Sequence, residues 1–359
     1  MRSTTWIIAA LLISVGLFGS AEAQAQSYYA YVAAESEDEV ALVRFDAEAQ
    51  RATVAKTIPV GQWPVETEGP HGLTVAPDGD HWYLSIAHGQ PYGRVVKYAT
   101  GADRPLASAE LGLFPATMDI STATGLLYVV NFNLHGPMEP STVSVVDPET
   151  MEEITQVETG IMPHGSRMSP DGQRQYSVAM MSGMLVELDA ATFDVMRTLP
   201  TGASQPKPTW VQPHPAKPLA YVANNGADEV VEVDLEGWTI TRRFATGAGT
   251  KPYNLDVSPD GSQLVVTYKG TAETGVWNLD TGAETAVLRN TRRVTHGVTI
   301  TPDGRYAFVT AEGIGGEPGA VDVIDLQAPE RVASVEVGKQ AGGIAFWKME
   351  PARALGAGE

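Results

Sequence analysis

The 359-residue chain contains no cysteine. That absence excludes disulfide staples, thiolate metal ligands, a cysteine nucleophile and iron–sulfur clusters. It also excludes covalently attached haem, which needs a Cys-x-x-Cys-His segment. Basic residues are scarce: 24 Lys and Arg stand against 43 Asp and Glu, for a formal net charge of −19. No basic run exceeds the pairs Arg242-Arg243 and Arg292-Arg293. Phosphate backbones are held by clustered Lys and Arg, so no nucleic-acid partner is expected. Such acidity keeps a protein soluble, and it also attracts cations or a basic redox partner.

Long apolar runs are missing as well. The single apolar stretch, Ile7 to Phe18, is too short for a membrane span. It follows Arg2 and precedes Ala21-Glu22-Ala23, the layout of a secretory signal peptide covering residues 1–23. The expectation is an exported, periplasmic or secreted protein without a membrane span. There is no Gly-x-Ser-x-Gly elbow, no phosphate-binding glycine loop and no calcium-loop spacing.

What the sequence does have is a repeat. Pro70-His71-Gly72, Pro163-His164-Gly165 and Thr295-His296-Gly297 each open a strand that runs into a Pro-Asp-Gly turn. The same slot recurs as Pro115-Ala116-Thr117, Pro208-Thr209-Trp210, Pro252-Tyr253-Asn254 and Ala341-Gly342-Gly343. The seven slots lie roughly 43–48 residues apart, the period of a four-stranded propeller blade. Within each repeat an apolar strand is followed by a tight turn, a Tyr- and Val-rich strand, an alternating strand ending on Asp, and a strand ending on Gly.

The ends are complementary. Gly342 to Phe346 is a first strand with nothing after it, and Tyr29–Ala34, Glu39–Asp46 and Ala52–Gly61 are second, third and fourth strands with nothing before them. Pairing the two ends closes the ring. The expected fold is all-β: a seven-bladed β-propeller of four-stranded antiparallel blades over residues 27–348, with 349–359 as a flexible tail.

Tyr-Val-x-Asn strands (Tyr128 to Asn131, Tyr221 to Asn224) and Pro-Asp-Gly turns resemble the YVTN-type β-propellers of exported bacterial proteins. The resemblance covers the whole chain after the leader and implies fold, since propellers host many activities. The architecture is also similar to the propellers of nitrous-oxide reductase and the quinoprotein amine dehydrogenases. The reductase's paired-histidine segment and cysteine-bearing cupredoxin domain are absent, so its activity is not implied.

The repeat also places the histidines. In a propeller, the loops entering first strands and the loops after second strands surround one mouth of the central channel. His71, His164 and His296 occupy entry slots, while His88 and His135 follow second strands. All five are expected at one mouth, whereas His81 and His214 fall beside turns of the opposite face. A lone loop histidine is most often structural. Five converging imidazoles suit a transition metal. His71, His88, His135 and His164 form the densest arc, with His296 completing it. Met180 and Met181 occupy a second-strand loop, and thioether beside imidazole favours copper, although methionines also fill gaps between blades. Arg167, Lys269 and Glu312 are candidates for an anionic substrate or for proton transfer, and equally for inter-blade ion pairs. Trp210 and Tyr253 are candidate funnel residues.

The expected function is an exported propeller with a histidine-rich metal site at the channel mouth, copper preferred, acting on a small molecule or with a periplasmic redox partner as an oxidoreductase. A non-catalytic ligand- or protein-binding propeller is the alternative, and a lactonase-like hydrolase the third.

Overall fold

A computed structural model describes residues 26–63, 65–88 and 93–351. The signal-peptide expectation lies outside them. The described residues form 28 strands in seven four-stranded antiparallel sheets, the architecture of a seven-bladed β-propeller. None of them forms a helix long and apolar enough to cross a membrane.

Burial follows position in the blade. Second strands such as Leu127–Asn131 and third strands such as Gly319–Asp325 are buried on both faces. Each is sandwiched between neighbouring blades, so Val and Tyr serve both faces. Fourth strands lie at the rim. Ala283–Arg289 alternates exposed and half-buried residues along its length, which is the period-two pattern of a strand wetted on one face. The innermost strands, among them Pro70–Val75, Pro163–Met168 and Val294–Ile300, surround the axis.

Glycine is required where these inner strands crowd together. A Cβ on Gly72 would lie 1.8 Å from the Ala116 carbonyl oxygen, and one on Gly165 would lie 2.6 Å from the Trp210 Cα. Hydroxyls then stitch the inner strands together. Ser85 donates to the Ala116 carbonyl at 2.9 Å, Thr267 to that of His296 at 2.8 Å and Thr310 to that of Gly342 at 2.7 Å. Every buried carbonyl at the axis that gains such a donor avoids the cost of being unpaired.

The ring closes as the sequence implies. Ala341–Pro351 pairs antiparallel with Gln26–Ala34, matching Tyr31 with Ala345 and Ala30 with Phe346. The closing strand runs further than the expected Gly342 to Phe346. Tyr28 pairs with Met349, Ser27 with Glu350 and Gln26 with Pro351, so the first of the expected tail residues belong to the sheet. The partner strand starts at Gln26, ahead of the expected Tyr29, and supplies the backbone groups that extend the pairing. Residues 352–359 lie outside the described residues.

Candidate site at the channel mouth

His71, His164 and His296 reach the axis from three innermost strands. The ring centroid of His71 lies 6.2 Å from that of His164 and 5.9 Å from that of His296. All three are buried. They line a narrow cavity of about 30 Å³, room for about two water molecules, together with Arg167, Trp210 and Asn254.

Each ring is held differently. His71 Nδ1 lies 2.9 Å from Glu35 Oε2. Glu35 directly follows the second strand of the split blade, and its other oxygen, Oε1, lies 2.8 Å from His88 Nε2. Burial alone would push the Glu35 carboxyl up. The charge and hydrogen bonds of His71 and His88 outweigh that and hold it far below the usual carboxylate range.

His164 Nδ1 lies 2.8 Å from the Thr209 carbonyl oxygen. A carbonyl only accepts, so Nδ1 carries the proton and Nε2 accepts from the Tyr253 hydroxyl at 2.9 Å. Burial, reinforced by the charge of His71, lowers the His164 pKa to about 3, so the ring is neutral. Burial and the Lys269 charge likewise keep His296 well below the ordinary histidine value. Its Nε2 is 3.8 Å from Glu312 Oε1, and its Nδ1 is buried without a hydrogen-bond partner.

Lys269 Nζ lies 3.7 Å from Glu312 Oε1 and 4.1 Å from the centre of the Tyr253 ring. Burial works against its charge. Tyr253, Glu312 and Glu35 overcome this and raise its pKa, so Lys269 is a buried cation beside the imidazoles. Burial raises the Glu312 carboxyl despite Lys269.

The remaining candidates divide. His88 and His135 form an outer pair with centroids 5.2 Å apart. Phe114 stands between them and the axis, 5.0 Å from His88, 5.4 Å from His135 and 5.3 Å from His71. Phe114 therefore divides the expected arc of four, and His296, expected to complete it, joins His71 and His164 at the axis. Met180 packs against the apolar cluster of Ala87, Phe114, Ala116 and Phe132, which is the gap-filling role of methionine, and Met181 is exposed on the rim. His81 and His214 lie at the opposite face, where His214 Nδ1 accepts the Ala216 and Lys217 amides at 3.0 Å each. Among the described residues, no group of three His, Asp or Glu side chains is disposed to hold a metal ion.

Glu35 escaped the sequence reading. The signal was its slot: it follows a second strand, as His88 and Lys269 do and as Glu312 ends one.

The fold and this mouth define a seven-bladed β-propeller with a histidine–carboxylate channel entrance. No family model matches the chain, and no curated protein is significantly similar to it. Among solved structures it is similar to Kuenenia stuttgartiensis hydrazine synthase, with a TM-score of 0.62 and 19% identity, over 75% of this chain and 80% of that one. It is also similar to a 6-phosphogluconolactonase-like protein of Bacteroides uniformis, with a TM-score of 0.70 and 14% identity, over 89% of this chain and 99% of that one. At these identities the likeness establishes the fold alone.

Proposed function

We propose that this chain is an exported propeller of the YVTN type that binds a transition metal at its channel mouth through His71, His164 and His296. One observation carries the reading. Two rings of the triangle are already fixed through Nδ1, His71 by the Glu35 carboxylate and His164 by the Thr209 carbonyl. Anchoring one ring nitrogen on an oxygen orients the other as a ligand and raises its basicity. The neutral state of His164 and His296 is the ligating state. A metal held there would take the place of the Tyr253 hydroxyl on His164 Nε2. Copper(II) heads the affinity order for such nitrogen donors, and with Met180 packed between blades the preference for copper rests on that order. A redox role would pair the net charge of −19 with a basic partner, which electrostatic steering favours. The test is metal content per chain, by mass spectrometry, of protein purified from a copper- and zinc-replete host. About one ion per chain supports the reading, and a metal-free protein under both conditions overturns it.

Lactone hydrolysis is a second reading, favoured by the Glu35–His71 pair, which is the arrangement of an oriented general base. Lys269 and Tyr253 stand nearby to receive negative charge. Lactone opening that survives chelation and fails in His71→Ala would favour it over the metal reading.

A further inference from the structure

We propose that the channel beneath the imidazoles is a binding site for a small planar oxyanion of the size of formate or carbonate. Arg167 lies in the innermost strand Pro163–Met168 and lines the same cavity as the histidine triangle. Its guanidinium stacks over the Trp210 ring with Cζ 4.4 Å from the centroid. It donates from Nε to Gln212 Oε1 at 3.2 Å and from Nη1 to the Ser166 carbonyl at 2.8 Å. A guanidinium has five N–H groups, so three remain without a protein acceptor among the described residues. Arg167 also makes no ion pair among them.

The neighbouring carboxylates are committed elsewhere. Asp119 accepts the Ile120 and Met168 amides at 2.9 Å each, and Asp256 accepts those of Val257 at 2.9 Å and Ile300 at 2.8 Å. Both act as clasps between innermost strands; the Arg167 charge opposes the burial that raises each carboxyl, yet neither carboxylate takes a hydrogen bond from the guanidinium.

A second observation points the same way. The indole N–H of Trp210, a residue only 6% exposed that lines this cavity, has no hydrogen-bond partner. His296 Nδ1 and Asn254 Oδ1, also lining it, are likewise unpartnered. An amide can present its NH₂ in place of its oxygen. Buried polar groups left unpaired are costly, and here three of them belong to residues that surround one cavity with a guanidinium. The excess of donors selects an anion over a cation. The volume, about two waters, selects one of three or four heavy atoms. The fork of Arg167 selects a planar one. Lys269 at the mouth provides a positive entrance. This site does not rest on a bound metal.

The experiment uses metal-stripped protein labelled with ¹⁵N at its tryptophan indoles, titrated with sodium formate against sodium chloride at matched ionic strength. The Trp210 indole signal is identified by its loss in Trp210→Phe. The expected result is a saturable shift of that signal with formate and none with chloride. So small a ligand binds at about millimolar affinity at best. Arg167→Met should weaken binding roughly tenfold or more. Should that variant fail to fold, Arg167→Lys, which keeps the charge but loses the fork, is expected to weaken it as well. An unmoved Trp210 signal in the native protein, or the same shift in the Arg167 variants, overturns the proposal and leaves a channel that holds only water. Failure of metal binding would leave these expectations untouched, so the two readings fail separately.

Discussion

His71 Nδ1 sits 2.9 Å from Glu35 Oε2, so the second blade's entry strand and the exit loop of the split blade meet on one buried hydrogen bond. The same carboxylate reaches outward to His88 at 2.8 Å. Glu35 therefore links the triangle at the axis to the outer histidine pair, and it does so at the seam where the ring closes.

Replacing Glu35 by Ala should cost about 2–3 kcal/mol, the scale of lost hydrogen bonds to a charged group. Gln, which keeps the shape and one acceptor, should cost less. The folded carboxyl titrates far below its unfolded value of about 4.3. Its contribution is thus present at neutral pH and is lost only on acidification below about pH 4. Chemical denaturation of the native, Gln and Ala forms at pH 7 checks the order. Equal stability of all three would show that the carboxylate holds nothing in place.

His164 should make a distinct mark on pH dependence. The folded ring titrates at about 3 and the unfolded one at about 6.5. Above pH 6.5 both are neutral. Below it the unfolded chain takes up a proton that the folded chain refuses, so native stability falls as pH drops. At pH 5 the loss is about 2 kcal/mol from this ring. Asp256, raised to about 6 by burial, acts in the opposite direction, which makes a difference measurement necessary. His164→Gln should be the less stable form at pH 7.5, and the gap to native should narrow by about 2 kcal/mol at pH 5. A gap independent of pH would mean that His164 is not held neutral.

The closing strand offers a test of the ring itself. Trp347 lies on it, packs with its ring centroid 5.5 Å from that of Tyr31 at a tilt of 35°, and donates its indole N–H to the Gly79 carbonyl at 3.2 Å. Ending the chain before Lys339 removes the innermost strand of the split blade and should lower the melting temperature strongly. Trp347→Ala keeps the strand and should cost about 2–3 kcal/mol, somewhat less than loss of a fully buried tryptophan. Calorimetry on both variants checks this, and a truncated protein that melts like the full chain would refute closure by these strands.

These comparisons also mark what the residues alone reveal. The blade count was legible because an entry slot recurs seven times, five times opening on Pro, and Asp-Gly turns follow four of those strands, where Gly79, Gly172, Gly261 and Gly304 all adopt φ between 70° and 76°. The face of each histidine followed from its slot. Glu35 was hidden because Glu35, Glu37, Asp38 and Glu39 read as one solvated acidic turn, and only burial separates the first from the others. The extension to Pro351 was hidden because the alternation of Trp347, Lys348, Met349 and Glu350 runs for only two periods before Pro351, after which the sequence carries no pattern. The division of the histidines into a triangle and an outer pair depends on where the Phe114 ring stands, which no spacing encodes.

The most direct test of the metal reading is calorimetric titration of metal-stripped protein with Cu²⁺ and Zn²⁺, comparing the native form with a His71→Ala/His164→Ala double variant and a His81→Ala/His214→Ala control. The account expects about one tight ion per native chain, copper ahead of zinc, and no loss in the control. Equal binding by the native form and the His71/His164 variant would contradict it.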